Sequence, residues 1–130
     1  MLRPFLALLI LGLPSAANAQ SNSPQQFDLV CEAQESMTVH GVARTYRVAF
    51  TYSIDLQARE VLLHGSDGPT RIAAISEDNI VLSQGNEWRT EVNRLNGSYT
   101  YFFGNDRNNN IIRLGRCTVA EFTPFQLRQF

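Results

Sequence analysis

The residues able to do chemistry in this 130-residue chain are few and widely spread. His40 and His64 are its only histidines, and Cys31 and Cys117 its only cysteines. Neither pair has the spacing of a metal site, so no metal and no other cofactor is expected. No G-x-S-x-G turn marks an acyl-transfer nucleophile. Ser66, with His64 and Asp67 beside it, is too local for a triad, because neighbouring side chains diverge. Asp55, Glu60 and Glu91 would serve glycoside cleavage only if the fold brought two of them together, and acids at strand ends are usually solvated. No catalytic residue is assigned. What remains is an aromatic set, Tyr46, Tyr52, Trp88, Tyr99 and Tyr101, with Arg94 on the same side of its strand. A packed interior and an apolar pocket share one sequence signature. The candidate ligand contacts are therefore Arg94, Tyr99 and Trp88: aromatic walls with a cation for an acidic group, or an Arg94 that merely stacks on Tyr99. A barrel interior filled by these side chains is the competing reading.

The elements that position them belong to a small exported domain. Arg3, an apolar run over 5–13 and the small-x-small series Ala17-Asn18-Ala19 have the layout of a secretory leader. The apolar run is too short to span a bilayer, which takes about 20 residues. No cysteine follows the cleavage point, so no lipid anchor is expected. The reading divides the chain into a leader over 1–19, a loose polar arm over 20–26, a β domain over 27–122 and a tail over 123–130. The location implied is the periplasm or the medium. There the two cysteines form a disulfide, with only one possible connectivity. Their wide separation argues against thiol redox catalysis. All 11 basic residues are arginine against 12 acids. The acids dominate up to Trp88 and the arginines beyond it, and neither half is basic enough for a nucleic-acid surface.

The periodicity is that of strands. Phe27, Leu29, Cys31 and Ala33 alternate onto one face. Over 44–56, Tyr46, Val48, Phe50, Tyr52, Ile54 and Leu56 do the same without a slip. Shorter strands are expected over 60–64, 71–76 and 79–83. Asn96-Gly97 predicts a two-residue hairpin turn, which pairs Val92 with Tyr101 and Thr90 with Phe103. One face then collects Trp88, Thr90, Val92, Arg94, Tyr99, Tyr101 and Phe103. A polar loop is expected over 104–110 and the last strand over 111–122. No segment has a helical pattern. Seven to eight strands with regular turns predict an all-β fold, a small antiparallel barrel or sandwich with one disulfide that clasps its ends. The terminal Phe130 is shared with outer-membrane barrels, but Arg128, Gln126 and Pro124 stand where those alternate apolar residues.

Four short patterns also carry a resemblance: Phe27-x-Leu29-x-Cys31, Tyr52-x-Ile54-Asp55-Leu56, Asn93-Arg94-x-x-Gly97 and Gly115-x-Cys117. Together they resemble a group of small uncharacterised exported proteins of Gram-negative bacteria, which implies an exported β domain and no activity. More distantly the chain is similar to the periplasmic inhibitors of c-type lysozyme, small disulfide-bearing barrels whose Ser-Gly-x-x-Tyr-type loop enters the lysozyme cleft. The corresponding loop here, His64 through Pro69, has no tyrosine after it. The expectation is a non-catalytic binding or inhibitor module, its partner an unknown small ligand or a periplasmic protein. An envelope-structural protein is the second class and an enzyme the third.

Overall fold

The computed structural model describes residues 24–125. The leader over 1–19, most of the polar arm and the end of the tail lie outside the described residues. Nine strands follow one another: β1 (Gln26–Val39), β2 (Val42–Asp55), β3 (Glu60–Leu63), β4 (Thr70–Arg71), β5 (Ala74–Ile75), β6 (Asn79–Gln84), β7 (Trp88–Asn93), β8 (Ser98–Asp106) and β9 (Asn109–Ala120). All join one antiparallel sheet in the order β4-β3-β2-β1-β9-β8-β7-β6-β5. No helix among the described residues is long and apolar enough to cross a membrane.

The expected seven to eight strands become nine because the segment expected over 71–76 divides. Its first part, β4, pairs with β3, and its second part, β5, pairs with β6. Between them the Ile72 amide donates to the Arg59 carbonyl and the Ala73 amide to the Val81 carbonyl. One continuous segment thus holds both margins of the sheet. The sheet curls on itself as a half-barrel, which replaces the sandwich alternative. Closure is confined to the end where β3 and β5 lie. At the other end β1, β2, β8 and β9 run on as an open trough.

That extension is the second departure from expectation. Beyond Ala33 the inward places of β1 are taken by Glu35, Met37 and Val39, so the hydrophobic alternation fades while the strand continues. It ends at His40-Gly41, both with positive φ (50° and 77°), the geometry of a two-residue hairpin turn. β1 and β2 then pair along all 14 residues of each. The polar run over 104–110 is likewise mostly strand. Gly104, at φ 83°, introduces an irregularity between Phe103 and Asp106, and the Asp106 carboxylate accepts from the Asn108 amide to close a tight turn.

The β7–β8 hairpin corrects the expected register by two residues. Val92 pairs with Tyr99, Thr90 with Tyr101 and Trp88 with Phe103. The turn is not the two-residue Asn96-Gly97 type. The Asn93 side chain accepts from the amides of Leu95 and Asn96, the Gly97 amide bonds the Asn93 carbonyl, and the Asn96 side chain accepts from Ser98. These side-chain bonds stabilise a longer loop over 94–97. A shift of two preserves the face of every strand side chain, so the inward set is as expected except for Arg94, which falls in the loop.

The core fills the closed half: Phe27, Leu29, Cys31 and Ala33 from β1, Tyr52 and Ile54 from β2, Val61, Ile72, Ile80, Leu82, Val92 and Tyr99. Through it passes the Cys31–Cys117 disulfide, which joins directly opposed residues of β1 and β9 with Cα atoms 4.0 Å apart. That is closer than the usual lower bound of about 4.4 Å. Two residues from Cys117, Gly115 lies so near β1 that a Cβ would overlap the Glu32 carbonyl and Ala33. Any side chain at 115 therefore forces the two strands apart.

Replacing both cysteines with alanine is expected to lower stability by about 2–5 kcal/mol, because the bridge closes a long loop in the unfolded chain. Urea unfolding checks this, and an unchanged midpoint would contradict it. Gly115→Val is expected to destabilise the same pairing with the disulfide intact.

Candidate functional site: the open end of the concave face

Where the sheet stops being closed, one cross-strand row carries charge. Reading across from β2 to β7 it runs Tyr46, Glu35, Arg113, Tyr101 and Thr90, each paired with the next. Alternation from the disulfide explains why these side chains face inward. Glu35 lies four residues after Cys31 and Arg113 four before Cys117, and an even step returns to the same face. Arg113 Nε donates to Glu35 Oε1 at 2.6 Å. Its guanidinium lies 4.9 Å from the Tyr101 ring centroid and 6.0 Å from that of Phe50. Both distances are within cation–π range. Glu35 is buried, while the Arg113 side chain keeps 32% of its exposure.

The next row toward the open end is Arg44, Met37, Ile111, Phe103 and Trp88. Tyr46, Phe103 and Trp88 are 44%, 43% and 41% exposed. Trp88 lies across Gly85, where any Cβ would overlap the indole. Behind the charged row the polarity ends. Tyr52 and Tyr99 share a hydroxyl–hydroxyl bond of 3.2 Å, and Phe50 packs 4.8 Å from Tyr99. Burial pushes the phenols of Tyr52 and Tyr99 upward, so both stay neutral throughout the physiological range. Burial also works against the Arg113 charge, but the bond and charge of Glu35, helped by Tyr99, outweigh it and raise the guanidinium pKa. The pair is a fixed charge arrangement at the boundary between dry core and open trough.

The three candidates read from sequence do not come together. Tyr99 is 1% exposed and belongs to the core. Trp88 stands at the open end. Arg94 follows the far end of β7, at the closed mouth, where Nη1 donates to the Ser76 carbonyl at 2.7 Å. There it borders a cleft of about 340 Å³ with Phe27, Leu29, Val92 and Val119. Glu35 and Arg113 were missed, although the signal was present: counting by two from each cysteine puts both inward and opposite one another.

A second polar cluster, also unforeseen, lies on the convex face. Asp28 and Ser53 are paired across β1 and β2, and both are buried. Ser53 Oγ and His64 Nε2 are 2.7 Å apart, and that nitrogen is 3.8 Å from Asp28 Oδ2. The types are those of a hydrolytic triad. The geometry differs, because hydroxyl and carboxylate meet the same ring nitrogen and Ser53 has no exposed surface. The cluster instead holds the segment that follows β9: Thr123 donates to Asp28 through its hydroxyl at 2.6 Å and its amide at 3.1 Å. Burial raises the Asp28 pKa, but these bonds, Ser53 and the nearby His64 together bring it below the ordinary value. No group of three or more metal-ligating side chains is present among the described residues.

No protein-family model, curated protein or solved structure matches the chain.

Two outcomes follow for these clusters. Arg113→Met and Glu35→Gln are each expected to destabilise by about 1–3 kcal/mol, since the first leaves the buried Glu35 and the second the half-buried Arg113 without its opposite charge. The double variant should lose clearly less than the sum, and additive losses in urea unfolding would show the pair to be uncoupled. For Asp28, the folded pKa lies below the unfolded one. Its contribution is full above the ordinary carboxylate range, near pH 4, and is lost as pH falls through the folded value. Thermal midpoints between pH 5 and pH 2 should fall less steeply in Asp28→Asn than in the wild type.

Proposed function

We infer that the chain is an exported, non-catalytic binding module and that the open end of the concave face is its binding surface. The observation that carries the reading is the concentration of exposed aromatic side chains there. Tyr46 shares the cross-strand row of the Glu35–Arg113 pair, and Arg44, Phe103 and Trp88 lie on the next row toward the open end, while the closed half of the same face is filled. Exposed apolar residues are ordinary when scattered; gathered in one concavity they mark a contact surface. The chemistry suits a ligand with flat apolar faces and an acidic group, such as an acidic saccharide. Ring faces would lie on the aromatic side chains and the carboxylate would meet Arg44 or the exposed side of Arg113. The buried disulfide is compatible with the oxidising compartment that the leader implies.

An inhibitor of a periplasmic hydrolase is the second form of the reading. Its support is the distant resemblance to lysozyme inhibitors, whose loop tyrosine this chain lacks, and the exposed loop at Gly65, Ser66 and Asp67.

Trp88, the single tryptophan, is a built-in reporter. Titration with hexuronate oligosaccharides is expected to change its fluorescence saturably, while neutral glucose oligomers do not. Tyr46→Ala and Phe103→Ala should weaken binding at least tenfold with folding retained. Absence of saturation with the folded wild type would overturn the saccharide reading. Capture of a lysozyme, lost on replacing Ser66 and Asp67, would transfer the function to the loop.

A further inference from the structure

The strand β2 has one complete margin and one that is mostly bare. It pairs with β1 from Val42 to Asp55, yet with β3 only from Tyr52 to Asp55. The His64 amide extends that second ladder one step, to the Thr51 carbonyl. Beyond Thr51, no described strand flanks β2 on this side. The direction of its backbone groups follows from Thr51. Its carbonyl points away from β1, and the strand repeats every two residues, so the amides and carbonyls of Ala43, Thr45, Arg47 and Ala49 point the same way. All four residues are exposed. A bare edge of this length is a template for another strand, which proteins usually blunt with a bulge, a proline or a bend. This one has no proline, and its pairing with β1 has no register shift.

We propose that the free edge of β2 binds an extended acidic polypeptide segment by strand addition. The charges select the occupant. Arg44 projects on the concave face and Arg47 on the convex face, and neither side chain makes a hydrogen bond or ion pair among the described residues. The concave acid of β1 closest to them, Glu35, is committed to Arg113. Two copies of this edge would bring four arginines together, which disfavours a second copy and favours a strand of opposite charge. Arg44 and Arg47 are three residues apart on opposite faces. A partner strand that meets both therefore carries acids three residues apart. On the convex side the sheet just inward of this margin forms a groove of about 730 Å³ lined by Val30, Glu32, Arg47, Ala49, Leu114 and Arg116, in which the two arginines outnumber the one acid. Backbone bonds supply affinity and Arg44 and Arg47 supply selection, as in other strand-addition sites. This surface shares Arg44 with the aromatic trough, but its test rests on Thr45, Arg47 and the backbone of the edge and does not depend on the saccharide.

The probe is an N-acetylated decapeptide of valine and threonine with two glutamates three residues apart, compared with the same peptide carrying lysines. Amide hydrogen exchange is read by NMR on the full mature chain. The glutamate peptide is expected to slow exchange at Ala43, Thr45, Arg47 and Ala49 at least tenfold. Val42, Arg44, Tyr46 and Val48, whose amides already face β1, should be unchanged. Thr45→Pro removes an edge donor without touching the β1 ladder and should abolish the protection. Arg47→Glu, which leaves the backbone as it is, should weaken the glutamate peptide at least tenfold and favour the lysine one. Unchanged exchange at saturating peptide would overturn the proposal, as would binding indifferent to both variants. Protection that grows with protein concentration in the absence of peptide would assign the edge to a second copy and overturn it equally.

Discussion

Every strand in this sheet pairs with a neighbour in sequence, except at one place: β1 lies against β9. Among the described residues that pairing is the only ladder between strands distant in sequence, and the Cys31–Cys117 bridge sits within it. The hairpins around it cost little loop entropy. The β1–β9 contact must gather the two ends of the chain before any of its bonds repay the closure. A covalent bond within this ladder reduces that cost and fixes the register of both strands. Because side chains alternate with period two, the same bond decides which residues of β1 and β9 face inward along their whole length. Gly115 belongs to this constraint, since only a residue without a Cβ allows β9 to approach β1 so closely.

The inward face of the closed half was legible because its side chains are uniformly apolar and alternate cleanly. Phe27, Leu29, Tyr52 and Ile54 are buried as their pattern required. The open half was less legible for a physical reason. A strand whose inward place is taken by a paired charge shows no hydrophobic alternation there, so the continuation of β1 through Glu35, Ser36 and Thr38 looks like loop. The β7–β8 turn misled in another way. Asn-Gly usually means a two-residue turn, but here Asn93 and Asn96 each bond backbone amides nearby, and those bonds favour a longer loop. Arg94 was singled out as the inward charge of its hairpin. The inward charge that organises the concave face is Arg113, on a strand whose alternation is broken by Gly115 and can be recovered only by counting from Cys117.

The two polar clusters illustrate different solutions to the same cost. Burying a charge requires partners that satisfy it. On the concave side Glu35 is matched by a cation placed opposite it in the sheet, with aromatic rings shielding the pair. On the convex side Asp28 is matched mainly by neutral donors, Thr123 and Ser53, with His64 nearby. The first arrangement leaves part of a guanidinium facing the trough, and so adds a recognition element to an aromatic surface. The second encloses its hydroxyl and ties down the segment after β9. Residue types alone would rank the Ser–His–Asp set as the more functional of the two; exposure and geometry reverse that order.

The length of the β1–β2 hairpin relative to β3 generates both proposed binding surfaces. Had β3 been as long as β2, the half-barrel would close along more of its height. Tyr46 would then be enclosed and the outward amides of Ala43, Thr45, Arg47 and Ala49 would be paired. Instead β3 stops at Leu63, where the Gly65 turn (φ 95°) leads the chain away. One early termination thus leaves an aromatic side chain exposed on the concave face and a row of backbone donors and acceptors at the margin beside it. Leaving such an edge uncovered invites association with other chains. The two unpaired arginines on it oppose association between like copies, and that opposition is what makes a bare strand tolerable in a chain that folds among many others.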